Sequence, residues 1–445
     1  MLADWARAKV GDICEIVRGV TYKKNQASEQ PGKGKVPILR ATNIQDTTLV
    51  LDSDLVYVPS ELVSAVQRLR VGDIVIATSS GSKHLVGKTA QVKAPWDGSF
   101  GAFCAAIRPQ ADIDHRYLGY FFDSREYKDY ISAKALGVNI NNLRRGDLEE
   151  ISVPVAPKAQ QQRIVAEIEK QFSRLDEAVA NLKRVKANLM RYKAAVLKAA
   201  VEGKLASTER PWKQVGLGDI ATSIRNGYSK KPDAEQGTRI FRISAVRPME
   251  LDVNDVRYLS GTPTDYEPFL VEPGDVLFTR YNGSRDYVGV CARVPENLPS
   301  TVYPDKLIRV RVPGSMLLPE FLVILASTGR AREYVESKIR TTAGQSGVSG
   351  GDLKALPLEL PCVAEQQRIV AEVERRLSVI EELESAVETN LTRADRLRQT
   401  ILRHAFAGKL VNPALKKTPD SSHDFPIAAE SPSTYETARR GRRSR

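Results

Sequence analysis

The sequence predicts an α+β chain: two homologous mixed α/β domains joined by two long antiparallel coiled-coil helices, an internal repeat with pseudo-two-fold symmetry. Three observations predict it. Sequence blocks recur in order at a nearly constant offset, each half carries a helix of some five heptads, and the rest of each half holds short β-type runs cut by Gly, Pro, Asn and Ser.

The repeat is the primary signal. Gln161-Gln162-Arg163-Ile164-Val165-Ala166-Glu167 returns as Gln366-Gln367-Arg368-Ile369-Val370-Ala371-Glu372, an offset of 366 − 161 = 205. Gly146-Asp147-Leu148 returns as Gly351-Asp352-Leu353, and Gly203-Lys204-Leu205 as Gly408-Lys409-Leu410. Upstream, Trp5 and Gly11-Asp12-Ile13 match Trp212 and Gly218-Asp219-Ile220, and Gly72-Asp73-Ile74 matches Gly274-Asp275-Val276. A period this long is a duplicated domain, far beyond a solenoid unit.

The first domain, 1–157, has strand-like runs at Val36–Leu39, Ile74–Ala77 and Ala102–Ile107, and a helical spacing over Tyr117–Lys134. Pro154 and Pro157 close it. The first long helix, 158–205, runs without Pro or Gly to its stop at Gly203. Ile168, Leu175, Leu182, Leu189 and Val196 recur every seven residues; a second row four residues earlier holds Ile164, Ala178, Val185 and Tyr192, interrupted by Gln171. The second domain, 206–361, repeats the strand-like runs and echoes the helical piece at Phe321–Lys338. The second long helix, 362–411, carries Val373, Ile380, Val387, Ala394 and Ile401, with a second row of Ile369, Leu383 and Leu397 interrupted by Arg376 and Asn390. These polar interruptions are expected to fix register. Ile164 to Ala199 would span about 54 Å, and the nearest partner for each stripe is its own copy. The remainder, 412–445, is rich in Pro, Ser, Thr and Ala, ends in an Arg cluster and is expected to be disordered.

Composition narrows the function. The 445 residues carry 66 Lys+Arg against 54 Asp+Glu, a net charge of +12, which favours a polyanionic partner. Cys14, Cys104, Cys291 and Cys362 form no C-x-x-C pair, which argues against zinc, iron–sulfur and disulfide scaffolds and fits a cytoplasmic protein. The N-terminal residues lack a signal-peptide layout, and no apolar run reaches membrane-helix length. Catalytic signatures are missing. Gly81 to Thr89 ends in Gly-Lys-Thr, but the first glycine of a phosphate loop should stand at Ser82, and the residues after Thr89 look extended rather than helical. No dinucleotide fingerprint, nucleophile elbow or paired histidines at metal spacing occurs.

Polar loops at equivalent places in both halves carry the candidate DNA contacts. The first half offers Arg18, Lys23, Lys24, Arg40, Asn43, Ser79, Ser80, Ser82, Lys83, His84 and Lys88, then Asn139, Asn141, Asn142 and Arg144. The second offers Arg225, Asn226, Tyr228, Lys230, Lys231, Arg242, Arg280, Tyr281, Asn282, Ser284, Arg285 and Tyr287, then Arg340, Thr341, Gln345 and Ser346. Arg, Lys, Ser, Thr and Asn suit phosphates, while Arg, Asn and Gln can also pair bidentately with base edges. Equal scaffold with unequal loops is what two readers of different sequences need.

The arrangement resembles the specificity subunit of a type I restriction–modification system. The resemblance covers about residues 5–412. It rests on the Trp…Gly-Asp-Ile openings, the Gly-Asp-Ile/Val strands, Gln160–Ile164 and Glu365–Ile369 opening the long helices, and Val196–Leu205 and Ile401–Leu410 closing them. It implies two target-recognition domains, each reading one half of a split double-stranded DNA site, with the helices as spacer and docking element for two methyltransferase subunits. It implies a DNA-associated bacterial or archaeal chain with no catalytic residue, no metal and no cofactor of its own. S-adenosylmethionine, ATP and Mg would sit on the methyltransferase and restriction/translocase subunits. The basic tail departs from many relatives. The competing readings are a coiled-coil protein scaffold without DNA specificity and an enzyme with an unfamiliar site.

Overall fold

The computed structural model describes residues 5–45, 47–80, 85–136, 142–205, 211–342 and 344–411. The expected disordered tail and the candidate residues Ser82, Lys83, His84, Asn139 and Asn141 lie outside the described residues. The chain divides into two compact units, one of residues up to Leu175 plus those from Arg396 on, the other Asp176–Asp395. Each unit therefore holds one α/β domain, the start of its own long helix and the end of the other.

In the first unit a four-stranded antiparallel sheet runs in the order Cys14–Arg18, Cys104–Pro109, Ile74–Ala77, Thr89–Gln91. Its central strands are apolar throughout because both faces are covered. Ile74, Ile76, Ala105 and Ile107 face one core with the helices, and Val75, Ala77, Cys104 and Ala106 face another. A smaller sheet, Val56–Pro59, Lys35–Leu39, Ser99–Phe100, lies beside it in the chain's path. The predicted helix over Tyr117–Lys134 is two helices, His115–Asp123 and Arg125–Leu136, broken at Ser124. The second unit repeats this plan. Its sheet runs Ser223–Asn226, Leu307–Arg311, Val276–Thr279, Cys291–Arg293, and the predicted Phe321–Lys338 is again two helices, Pro319–Ser327 and Gly329–Lys338.

The repeated motifs turn out to be joints of the scaffold. Asp73 and Asp275, each 1% exposed, receive the backbone N–H of Arg70 (2.9 Å) and Glu272 (2.7 Å). Each also pairs with an arginine of the neighbouring strand, Arg108 (2.8 Å) or Arg311 (2.7 Å). Gln161 and Gln366 are buried at the start of the long helices. Their amide oxygens accept from Asp114 N (2.8 Å) and Leu318 N (2.9 Å), and their amide nitrogens donate to Ala156 O (2.8 Å) and Pro361 O (3.1 Å). Each glutamine thus ties its helix to the domain in front of it. Asp147 and Asp352 accept the N–H of Arg144 (2.9 Å) and Ser349 (2.8 Å) at the head of a short helix.

The long helices span Lys158–Val201 and Val363–Phe406. Within the second unit they are antiparallel. Lys186 meets Glu388 (2.8 Å), Leu189 packs with Ile380 and Val387, and Val196 joins Ile369 and Val373 in the domain core. In the first unit Ile164, Ile168 and Phe172 share a core with Ile401, Leu402, Ala405 and Phe406. The main seven-residue row is thus the packing row, with Leu175 and Leu182 half-buried. The second row is corrected. Its first members, Ile164 and Ile369, are buried in the domain cores, but Ala178, Val185, Tyr192, Leu383 and Leu397 are exposed, and the flank turned inward lies four residues after the main row, at Phe172, Val179, Ala200, Leu377 and Leu391. A two-helix pair covers only one flank of its stripe. Gln171, Arg376 and Asn390 also bond within their own helices, to Glu167, Glu372 and the Ala386 carbonyl, and not across the pair.

Candidate nucleic-acid interface

Antiparallel pairing brings three strand ends to one edge of each large sheet. In the first unit Arg18 stands opposite Ala105 and Ala77 opposite Cys104. The loops leaving that edge carry Arg18, Ser79, Ser80 and Lys88. Asn142 is drawn in by its bridge to Ser79, reinforced by Leu143 N donating to Thr78 O (2.7 Å). In the second unit Asn226 pairs with Ile308 and Thr279 with Leu307, so Arg225, Asn226, Arg280 and Tyr281 meet at the matching edge. There Tyr281–Asn282 extends into a three-stranded ribbon with Gln345–Gly347 and Arg340–Thr342, which brings Arg340, Thr341 and Gln345 to the same place. Residues scattered over more than a hundred positions of sequence thereby converge.

Close backbone approach builds both edges. A Cβ on Gly19 would lie 2.1 Å from the Gly101 carbonyl oxygen, and one on Gly227 2.2 Å from that of Tyr303. Only glycine lets the first strand's exit lie against the turn beside it. Those turns are equivalent. Cys104 N donates to Gly101 O (2.8 Å) as Leu307 N does to Pro304 O (2.9 Å). Thr78 N donates to Phe103 O (2.9 Å) as Arg280 N does to Lys306 O (2.8 Å). Lys23 and Lys231 each stand four residues beyond their glycine, both exposed, with Lys24 and Lys230 exposed beside them.

Several candidates are buried or already partnered within the fold. Asn43 is buried; its side-chain oxygen accepts from Arg40 N (2.8 Å) and its amide donates to Val50 O and Ser53 O (both 2.9 Å), which spends it on folding its own loop. Ser346 is buried against Thr341 Oγ1 (3.0 Å) and sets the ribbon rather than facing a ligand. Tyr228 is half-buried, edge-on to Tyr266 and Phe269. Arg40 and Arg242 are exposed but paired with the aspartates Asp54 and Asp255 of their own loops. Arg285 donates to Glu336 O (3.2 Å), next to exposed Ser284 and Tyr287, and Arg144 is exposed at the head of its short helix. Cationic and aromatic groups alternate at the second edge: Arg280 and Lys306 lie over the Tyr281 ring at 4.7 and 5.0 Å, and Arg225 over Phe269 at 4.9 Å.

Two edge residues escape the sequence reading, Phe103 and Lys306. The run Ala102–Ile107 reads as one strand, but the strand is Cys104–Pro109 and Phe103 stands on the turn before it, 68% exposed. The glycine at 101 is the only local sign. As for other chemistry, the threonine of the Gly-Lys-Thr opens the strand Thr89–Gln91, extended as expected, so no helix N-terminus stands there for a phosphate. Cys14, Cys104 and Cys291 are core residues whose thiols burial pushes up to about 12. Among the described residues no cluster of His, Cys, Asp or Glu could hold a metal ion, and no helix is long and apolar enough to cross a membrane.

Comparison with known proteins points the same way. Residues 3–188 match the family described as the type I restriction modification DNA specificity domain. The chain is 38% identical to the EcoKI type I restriction enzyme specificity subunit of Escherichia coli K12, over 94% of this chain and 91% of that one. It is 34% identical to the StySPI specificity subunit of Salmonella potsdam, again over 94% and 91%. In fold it is similar to a chain solved in work on assembly and conformational transition of the type I R-M system (TM-score 0.71, 19% identity, 92% of this chain and 99% of that one). A second similar fold is the HsdS subunit of Thermoanaerobacter tengcongensis (TM-score 0.53, 20% identity, 92% and 97%).

Proposed function

The chain belongs to the family of type I restriction–modification specificity subunits, and on that premise we propose how its parts divide the work. It is the DNA-recognition component of such a system and not the catalytic one. The edge of the first unit reads one half of a bipartite duplex site, and the edge of the second reads the other. One observation carries this reading: the two edges are built from the same backbone hydrogen bonds but display unlike side chains, Arg18 against Asn226, Ser79 against Tyr281 and Asn142 against Gly347. The ribbon strands Arg340–Thr342 and Gln345–Gly347, the exposed lysines and the arginines near Tyr281 supply the donors that phosphates and base edges take.

The long helices set the gap between the half-sites and dock the methyltransferase subunits. The uncovered flank of the stripe, with Val185, Tyr192, Val379 and Leu383 exposed on the helices of the second unit, supports the docking role. S-adenosylmethionine, ATP and Mg belong to the partner subunits, whose chemistry this chain directs. The test is exchange of residues 211–355 for the same region of a relative with a different target, then sequencing of the methylated motifs. One half of the motif changes and the other stays. A change in both halves, or in neither, overturns the division of labour.

A further inference from the structure

The geometry points to Phe103 as a specificity-determining residue whose ring contacts an apolar surface of a base pair in the first half-site, a role that Lys306 at the same turn of the second unit fills with charge. The inference rests on the reading that this sheet edge faces DNA, and it adds a residue which that reading did not include.

Phe103 is the most exposed large apolar side chain among the described residues, at 68%. A single exposed apolar residue is ordinary on a protein surface. This one differs in how it is held. Its carbonyl accepts two backbone N–H groups, from Thr78 (2.9 Å) and Ser79 (3.1 Å), and the turn is closed by Cys104 N to Gly101 O (2.8 Å). The next residue, Cys104, is buried in the core. The backbone on both sides of the ring is therefore fixed, and the ring is carried outward beside Ser79, whose bridge brings Asn142. Arg18 and Lys88 leave the same edge. Within the fold the ring makes none of the aromatic pairings that hold Phe121, Phe122 and Phe406. An aromatic ring on a pinned turn loses little conformational freedom on binding, and it is among the few groups that can recognise the thymine methyl or press against a base step.

The second unit supplies the contrast. Lys306 has the same backbone bonds, to Arg280 N (2.8 Å) and Tyr281 N (3.4 Å), but its ammonium lies over the Tyr281 ring. The fold thus fixes this position in both units without dictating its side chain, which leaves that side chain to what the edge meets.

The test uses the intact complex with its methyltransferase subunits, and two duplexes: one with the methylated motif and one with its first half-site scrambled. Phe103→Ala is expected to lower affinity for the motif roughly 10- to 100-fold, the range that burying a phenylalanine ring spans. Affinity for the scrambled duplex and the salt slope are expected to stay. Phe103→Lys is expected to bind both duplexes with similar affinity and a steeper salt slope, charge replacing discrimination. Motifs with each thymine of the first half-site replaced by uracil separate a methyl contact, which loses affinity in the wild type at one position only, from a base-step contact, which shows as unstacking of 2-aminopurine placed there. Unchanged discrimination by Phe103→Ala, while Arg18→Ala and Lys88→Ala weaken binding, overturns the inference and leaves the edge as the DNA face. If none of the three weakens binding, the edge reading itself fails. Loss of the methyltransferase subunits from Phe103→Ala would make the ring a protein contact and also overturn the inference.

Discussion

Gln161 and Gln366 stand 205 positions apart and share two hydrogen bonds made with the same atoms, to which Gln366 adds a third, from its amide nitrogen to Met316 O (2.9 Å). Phe103 and Lys306 also occupy one structural position, yet one is an exposed aromatic ring and the other an ammonium over a tyrosine. The contrast separates two kinds of position. Where a buried polar group must be satisfied, the two halves share a solution, because a lost partner costs the full desolvation of the group left behind. Where the backbone alone fixes the place and the side chain meets solvent, the fold sets no constraint and the halves have diverged.

The largest effect is expected at the buried aspartates. Asp73→Ala and Asp275→Ala each remove the buried partner of a strand arginine, Arg108 or Arg311, and each is expected to cost about 3 kcal/mol, the low end for breaking a buried pair, since Glu15 (3.6 Å) and Glu272 (2.9 Å) still face those arginines. Denaturant unfolding combined with hydrogen exchange in each unit measures it. The two losses should fall in their own units and agree within about 1 kcal/mol, the usual spread of such interactions. A large inequality would mean that the halves do not share the joint.

Next in size is a site where the halves differ inside the scaffold. Asp123 ends its helix in the first unit; Ser327 ends the matching helix in the second, where its hydroxyl donates to Val323 O (2.7 Å). Burial raises the Asp123 carboxyl to about 6, against the pull of Lys128, Lys93 and Arg398. The folded state thus holds a proton that the unfolded chain gives up near 3.8, so this group makes stability fall as pH rises from about 4 to about 6. Asp123→Asn is expected to stabilise the first unit by about 2 kcal/mol at pH 7, with no gain below pH 4. Thermal melts at both pH values check the sign. A gain that persists at pH 4 would place its origin elsewhere.

The mildest effects are expected on the DNA side. Lys23 and Lys231 repeat at one position beyond the packed glycines, so they should serve both halves alike through phosphate. Lys23→Ala and Lys231→Ala are each expected to lower the salt slope by about 0.9 and to leave the methylated motif intact. A changed motif would make either lysine a reader. Removing one heptad around Leu182 together with one around Leu391 keeps the stripe in phase, and is expected to alter only the unspecified gap between the half-sites. An unaltered gap in an active variant would remove the helices as ruler.

Much of this was legible in the residues alone, for a physical reason. Helix period, the glycine stop at Gly203 and strand-sized apolar runs are local chemistry, and repetition of blocks such as Gly-Asp-Leu needs no coordinates to be seen. The duplicated α+β plan, the two long helices and the family came from them. Tertiary structure decided what depends on a distant partner. Which flank of the heptad stripe is covered turns on the opposing helix, since both flanks look apolar in sequence: Val185 and Leu383 face out while Phe172 and Leu391 face in. Asn43 and Asn226 look alike as letters, but Asn43 is enclosed by carbonyls of its own loop and Asn226 stands at a strand end. Phe103 reads as core because its neighbours are core. It is exposed because the Thr78 and Ser79 amides bind its carbonyl from another strand's exit, a contact between residues some 25 positions apart that no local pattern encodes.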